Sequence, residues 1–379
     1  MIRHDQGSEP GGLQPLLRPL TLGGLRLPNR VVMAPTTRAR ATNEDLVPTD
    51  LHAAHYGQRA GAGLIIAEGT WVSERAIGFG HVPGIYSERQ VAAWRRVTGL
   101  VHALGGRIVL QLWHAGAGSH PDHLGGALPA GPSAINPHEI SFTPSGRKPT
   151  VTPRAMTAAD IEAAVADYGT AAGNARRAGF DGVEIAANGT YLIAQFLNPR
   201  LNRRTDGYGT RRDRLLLEIV DAVAGAWDGR GVGVRLSPYW SVRDRSPGDP
   251  RGDGYPYTAD ERTLAAFDGL VAELNDRPVD HLHLRGPAPS AAGPDLDAVA
   301  RYRKLFDGTL IANNGFGRET GNAIVEAGIA DAVSFARLFI ADPDLVSRFA
   351  LGRRPAASDR ATHYTGGARG YVDYPIGMG

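Results

Sequence analysis

The chain has no cysteine, so disulfides, thiolate nucleophiles, Cys-based metal sites and iron–sulfur clusters are excluded. Lysine is almost as scarce. Lys148 and Lys304 are the only two, neither on a stretch of strand character, which speaks against a Schiff-base aldolase. Neither sign of charge is in excess: 41 basic and 39 acidic residues leave a formal net charge of +2. That balance gives no reason to expect nucleic acid or an anionic membrane as partner. No apolar run approaches the roughly 18 residues of a membrane span. Met1 to Pro15 lacks the apolar h-region of a secretory signal, so the expectation is a cytoplasmic protein. No group of His and carboxylates has metal-ligand spacing, and no metal is expected.

What the chain does contain is apolar residues, 42% against 21% charged, ample for a sizeable core. Residues 1–15, with Gly and Pro, read as a loose tail. Leu16 to Arg30 pattern as a β-hairpin, two apolar runs around the turn signal Gly23-Gly24. Eight uninterrupted apolar runs of strand length follow: Val31–Pro35, Leu64–Glu68, Arg107–Trp113, Gly182–Ala187, Gly231–Ser237, His281–Leu284, Thr309–Asn313 and Ala332–Ala336. Helical periodicity fills intervals between them, at Gln90–Leu104, Ala158–Ala178, Arg214–Ala226, Ala259–Leu274, Glu319–Ala327 and Pro343–Leu351. Apolar runs without alternation indicate parallel strands covered on both faces. Eight such units predict an α/β fold, a (β/α)8 TIM barrel, as one domain over residues 16–375. An open doubly wound sheet is the alternative, but no Gly-rich phosphate fingerprint follows any of the runs. Residues 115–153, rich in Gly, Pro, Ser and His, separate the third run from its helix. An insertion of that length at a barrel's rim predicts a lid or substrate wall.

Working groups of such a barrel stand at the C-terminal ends of its strands. There the sequence reads Pro28-Asn-Arg-Val-Val-Met-Ala-Pro-Thr-Thr-Arg38, Gln111-Leu-Trp-His114, Gly233-Val-Arg-Leu-Ser-Pro238, Asn314-Gly-Phe316, and Phe335-Ala-Arg337 with Ala341-Asp-Pro-Asp-Leu345. The tail reads Tyr364-Thr-Gly-Gly-Ala-Arg-Gly-Tyr-Val-Asp-Tyr-Pro375. In this order these segments resemble the old yellow enzyme family, over residues 16–375. The resemblance implies an FMN-containing barrel that takes hydride from NADPH or NADH and passes it to an activated small-molecule substrate. It implies that Gln111 and Arg235 meet the flavin's pyrimidine edge and N1/O2. It puts the backbone of Ala34 and Pro35, with Thr37 and Gly69, near O4/N5, and Asn314, Gly315, Phe316, Ala336 and Arg337 at the phosphate. The residue types suit those roles: Arg binds phosphate bidentately, and a cation near N1/O2 stabilises the reduced, anionic flavin. His114, His281 and His283 read as packed or loop histidines, and Glu68 and Glu184 as paired structural charges.

The resemblance breaks at the turn after the fourth run. Family members place two side chains there, His with His or Asn three residues on, that grip the substrate's carbonyl or nitro oxygen. A Tyr two residues further supplies a proton. Counted from Glu184, the gripping positions hold Ala186 and Gly189, while Tyr191 stays in register. Asn188 reaches the second place only if the turn slips by one residue. Tyr191 and Asn188 are therefore the catalytic candidates, with Trp113, Phe79, Ala186, Gly189 and Tyr364 around the substrate. Phe79 stands where many members carry an aromatic hydroxyl. His138 and Arg147 of the insertion are further groups able to polarise a substrate. Each oxyanion donor contributes about 3–4 kcal/mol, so loss of both predicts poor reduction of ordinary enones. The expectation is a specialised, biosynthetic oxidoreductase whose substrate accepts hydride unaided, such as an iminium or a quinone methide. Alternatives are an ordinary ene-reductase using Asn188 and Tyr191, a flavin-dependent desaturase or oxidase, and a flavin-binding module without turnover. The oligomeric state is not predicted.

Overall fold

The computed structural model of the chain describes residues 13–239 and 260–377. Residues 1–12 of the predicted tail, and Ala259 at the start of a predicted helix, lie outside the described residues. In chain order, a hairpin of β1 (Leu20–Leu22) and β2 (Leu25–Leu27) precedes β3 (Val31–Met33). Helix α1 (Asp50–Gly57) leads to β4 (Leu64–Trp71), and α2 (Glu88–Ala103) to β5 (Ile108–Trp113). The insertion holds short strands β6 (Ala130–Gly131), β7 (Ile140–Thr143), β8 (Gly146–Pro149) and β9 (Arg154–Ala155). Then come α3 (Ala158–Arg177), β10 (Val183–Ala187), α4 (Leu192–Leu197), α5 (Gly207–Thr210), α6 (Arg214–Ala226) and β11 (Val232–Leu236). Helix α7 (Glu261–Leu274) precedes β12 (His281–Arg285), α8 (Leu296–Arg303) precedes β13 (Thr309–Asn313), and α9 (Arg318–Glu326) precedes β14 (Ala332–Phe335). Helices α10 (Arg337–Ala341) and α11 (Leu345–Ala350) complete the set.

The eight strands β3, β4, β5 and β10 to β14 close into a parallel barrel in chain order, β14 pairing back onto β3. All five residues of β10 and of β11 are buried, as expected of strands with the barrel interior on one side and helices on the other. At the N-terminal end the interior is apolar: Val32, Leu64, Ile66, Val109, Ile311 and Ala332 meet Leu22 and Leu27 of the hairpin, which plugs that end. The C-terminal end of the interior is polar, with Gln111, Glu184, Arg235, His283, Asn313 and Ser334 buried there. Capping boxes fix two helix starts, Ser87 with Gln90 on α2 and Thr157 with Asp160 on α3.

The predicted runs all become strands, with two informative differences. β4 runs on to Trp71 because a register shift between Ala67 and Thr70 lets it continue past the polar Glu68 and Thr70. β12 runs one residue further than predicted, to Arg285. Helices α1 and α8 had no counterpart in the sequence reading. α1 buries His52, His55 and Tyr56 in place of an aliphatic stripe, and three of the eight residues of α8, Asp297, Arg301 and Arg303, are charged. No helix among the described residues is long and apolar enough to cross a membrane.

The C-terminal tail packs back on the barrel. Arg38 donates to the carbonyls of His363 and Gly370, and Arg40 to those of Thr362, Gly367 and Arg369. Both guanidinium groups lie over the Tyr371 ring, 5.2 and 4.9 Å from its centroid, and His55 stacks on the same ring at 4.0 Å. The nearby Glu68 carboxylate accepts from the Arg38 backbone N–H at 3.2 Å and the Tyr56 hydroxyl at 3.4 Å.

Burial pushes the Glu68 carboxyl up to about 7, against the opposing pull of the Arg38 N–H and guanidinium. A carboxyl raised in the fold favours folding while protonated. Its contribution is complete below its unfolded value, near 4.5, and is lost as pH rises to about 7. Glu68→Gln should remove that dependence. Between about pH 5 and about pH 8, the unfolding free energy of the variant relative to wild type should move in the variant's favour by about 3 kcal/mol. Urea unfolding at both pH values measures this, and an unchanged difference contradicts the assignment.

Candidate active site

Parallel registry brings polar side chains of six strands to one level. Gln111 is the Cα partner of Glu184, Arg235 of His283, and Asn313 of Ser334. Glu184, 0% exposed, accepts from Gln111 Nε2 at 2.7 Å and pairs with His283 Nδ1 at 2.8 Å and His281 Nε2 at 3.4 Å. Burial alone would raise its pKa. His283, His281 and Arg235 outweigh that and hold the carboxylate below its ordinary range. Burial also pushes His283 down to about 4, with Glu184 opposing, so the imidazole is neutral near neutral pH. The prediction that Glu184 and both histidines are packed, paired groups agrees with this arrangement.

Arg235 closes the level. It is 8% exposed, donates from Nη2 to Asn313 Oδ1 at 3.2 Å, and its buried Nε has no partner among the described residues. Leaving a charged donor buried and unmet is costly, so Arg235 calls for an electron-rich acceptor at the mouth. Gln111 has its amide nitrogen committed to Glu184, which leaves Oε1 as the free end. Gly69 lies against Gln111 and Trp113: a Cβ there would fall 2.6 Å from the Trp113 ring and 3.3 Å from Gln111 Oε1. Arg285, missed in the sequence reading, adds a second positive charge, felt by both Arg235 and Tyr191. Extending the alternation of His281 and His283 by one step would have found it.

At the opposite part of the rim, Asn314 and Gly315 both have positive φ, 92° and 84°. Asn314 Nδ2 donates to Gly286 O and Pro287 O, tying this turn to the loop after β12. A Cβ on Gly315 would lie 2.6 Å from Pro289, so this glycine answers to protein packing as well as to backbone shape. Arg337 is exposed and makes no hydrogen bond or ion pair among the described residues. Phe316 packs into the core, leaving its backbone for any ligand, and Ala336 is half-buried at the start of α10. On the third side, Ala34 N–H donates to Phe335 O and Ala34 O accepts from Thr36. Thr37 is half-buried beside Pro35, its hydroxyl without a partner among the described residues. A buried cation with one unmet N–H, an amide oxygen open to a donor and a rim arginine fit a flavin mononucleotide: an acceptor atom and an N–H of the ring's pyrimidine edge for the first two, a phosphate for the last.

The turn after β10 is as bare as the sequence suggested. Ala186 shares the face of Glu184 and is the register partner of Arg235. Gly189 has φ +67°, and a Cβ there would sit 3.0 Å from Tyr191 Cε2. The tyrosine ring thus borders the space that a side chain at 189 would need. Tyr191 caps α4 and meets Trp113 edge-on at 4.7 Å, while Trp113 stacks on Trp71 at 4.2 Å. Burial, with the Glu139 charge adding to it, pushes the Tyr191 hydroxyl up to about 12, so it stays protonated at working pH. Asn188 lines, with Ala187, Gly189, Ser237 and Phe267, a cavity of about 80 Å³ that Tyr191 does not border, and its buried Oδ1 has no partner among the described residues.

The insertion approaches through aromatic contacts. Phe142 of β7 stacks on Phe79 at 4.5 Å, and Tyr364 of the tail meets the two at 5.5 and 6.0 Å. Backbone bonding follows, Gly80 N–H donating to Phe142 O. Arg147 lies over the Phe142 ring, and His138 is exposed with φ 51°. Phe142 was not among the predicted residues, since nothing in a Gly- and Pro-rich insertion marks which aromatic folds inward. A cavity of about 560 Å³ opens on the barrel flank, lined by Arg75, His114, His123, Leu128 and Arg154 among others. None of the substrate or cofactor candidates lines it. Among the described residues no cluster of His, Asp and Glu could hold a metal ion.

The family model of the NADH:flavin oxidoreductase / NADH oxidase family matches residues 15–355. The chain is 38% identical to the flavin oxidoreductase hxnT of Emericella nidulans, over 96% of this chain and 98% of that protein. It is 37% identical to 12-oxophytodienoate reductase 1 of Oryza sativa subsp. japonica, covering 96% and 93%. Among solved structures, morphinone reductase in complex with tetrahydroNAD is similar with a TM-score of 0.86 and 41% identity, over 95% of this chain and 97% of that one.

Because Gly189 combines positive φ with the Tyr191 ring at contact distance, Gly189→Ala should destabilise the protein by about 1–2 kcal/mol and displace the ring. Denaturant unfolding reads the first effect. A change in near-ultraviolet dichroism, from the Trp113–Tyr191 contact, reads the second. A variant matching wild type in both would show that the turn is not shaped as described.

Proposed function

The chain belongs to the NADH:flavin oxidoreductase / NADH oxidase family, the old yellow enzymes, and is an FMN-dependent oxidoreductase; from that premise we propose that it passes hydride to a small-molecule substrate which carries its own activation. Bound at the mouth, FMN would supply a two-electron hydride centre, loaded by a nicotinamide donor. Arg235 and Gln111 would hold its pyrimidine edge, and Arg337 with the Asn314-Gly315 turn its phosphate. Tetrahydro-NAD in the related morphinone reductase supports a nicotinamide as that donor. The relatives named as reductases favour reduction over desaturation.

The observation that carries the reading is the bare turn. Ala186 and Gly189 offer no donor to a substrate oxygen, and neither Trp113, Tyr191 nor Arg235 lines the small cavity that Asn188 borders. Two absent donors correspond to about 6–8 kcal/mol, a rate factor of about 10⁴ to 10⁶ for an enone that must be polarised. A cyclic iminium or a quinone methide needs no such grip, since its electron deficiency is already present. Phe79, Phe142, Trp113 and Tyr364 offer aromatic surface to a bulky substrate of that kind, as a dedicated biosynthetic pathway would supply. Tyr191 retains one task, giving a proton where the product needs one, and its protonated hydroxyl suits it.

Rapid mixing of the anaerobically reduced, FMN-loaded protein with a cyclic N-alkyl iminium and with cyclohexenone tests this. Flavin reoxidation by the iminium should be at least about 10³-fold faster, and Tyr191→Phe should slow the enone by about 10²-fold while sparing the iminium. Comparable rates for the two substrates would overturn the reading.

A further inference from the structure

The side chains at the barrel mouth are joined by a chain of hydrogen bonds with one direction. With Glu184 ionised, Gln111 Nε2–H and His283 Nδ1–H both donate to it. A neutral His283 must then accept at Nε2, where the Ser334 hydroxyl lies 2.7 Å away. Ser334 Oγ accepts in turn from Asn313 Nδ2 at 2.8 Å, which turns Asn313 Oδ1 toward Arg235 Nη2. Every donor in the series points toward Glu184. The two residues proposed to hold the flavin's pyrimidine edge are thus tied to one carboxylate, Gln111 directly and Arg235 through three intermediates. Glu184 is 0% exposed, so solvent does little to screen its charge.

We propose that Glu184 is a positioning residue that sets the reduction potential of the bound flavin, by orienting Gln111 and Asn313 and by offsetting the charge of Arg235. This rests on the placement of FMN at the mouth argued above. A reduced flavin carries extra negative charge, which Arg235 favours and Glu184 opposes. The carboxylate therefore holds the potential down and keeps the reduced flavin a strong hydride donor. It also holds the Gln111 amide with its acceptor end outward, whereas a neutral residue at 184 would let that amide turn over.

Dye-linked anaerobic titration of the FMN-loaded protein reads the potential directly. Glu184→Gln should raise it, shifting the flavin reduction equilibrium at least tenfold, about 30 mV for a two-electron couple. Glu184→Asp, which keeps the charge, should return it most of the way toward wild type. Ser334→Ala leaves the carboxylate in place but cuts the series at its centre. It should raise the potential by a smaller amount, still more than twofold in equilibrium, because Asn313 Oδ1 is no longer held to offset Arg235. That variant carries the test if Glu184→Gln does not fold. Wild-type protein that takes up no flavin would sink the placement of the cofactor itself. Variants that load flavin normally but leave the potential within twofold in equilibrium of wild type, or a Glu184→Gln variant with a lowered potential, would overturn the role of Glu184 while sparing that placement.

Discussion

A carboxylate with no exposure to solvent persists in a fold only if its charge is met by donors close at hand. Glu184 is met from two other strands, by Gln111 of β5 and by His281 and His283 of β12, with Arg235 of β11 near enough to add to the effect. Each of those residues stands on a different barrel element from Glu184, so the carboxylate is satisfied only when the strands are in register. The same registry puts Arg235 and Gln111 on the rim, one with an unmet N–H and the other with a free oxygen. The proposed cofactor site and the internal polar level would therefore be one construction, with Arg235 and Gln111 belonging to both.

Above that level the protein departs from the pattern its motifs suggest. The turn after β10 carries alanine and glycine where a substrate's oxygen is usually held, and Tyr191 stands against Gly189 with its ring edge-on to Trp113. In the proposed function, aromatic area takes the place of point donors, and it comes from three separate parts of the chain. Phe79 follows β4, Phe142 belongs to the insertion and Tyr364 to the tail. Aromatic surface discriminates by shape and by charge distribution more than by hydrogen-bond direction, which suits a substrate whose reactivity is already built in.

The tail is held by a different device. Arg38 and Arg40, both nearly unexposed, have their guanidinium N–H groups directed largely at backbone carbonyls of residues 362–370. Buried arginines are seldom stable without such acceptors. Here a segment with little regular structure supplies them, and in exchange is held where Tyr364 can reach Phe79.

The barrel itself was legible from the chain because its strands are buried on both faces. Double-sided burial leaves uninterrupted apolar runs that no other element produces at that spacing. Residues such as Gln111, Arg235 and Arg337 could be singled out for a similar reason, standing as polar groups at the ends of those runs. The bareness of Ala186 and Gly189 was equally visible, since an absent side chain needs no structure to be noticed. Only the fold decided the rest. Asn188 lies two residues from Ala186, yet it lines a side cavity, because direction changes within a turn are not encoded by spacing. Arg285 and Phe142 reach the mouth through strand registry and lid docking, which are set by partners distant in sequence. The shared dependence of Gln111 and Arg235 on Glu184 likewise exists only once the cylinder has closed, since parallel pairing, and not the order of residues, puts those groups within hydrogen-bonding distance.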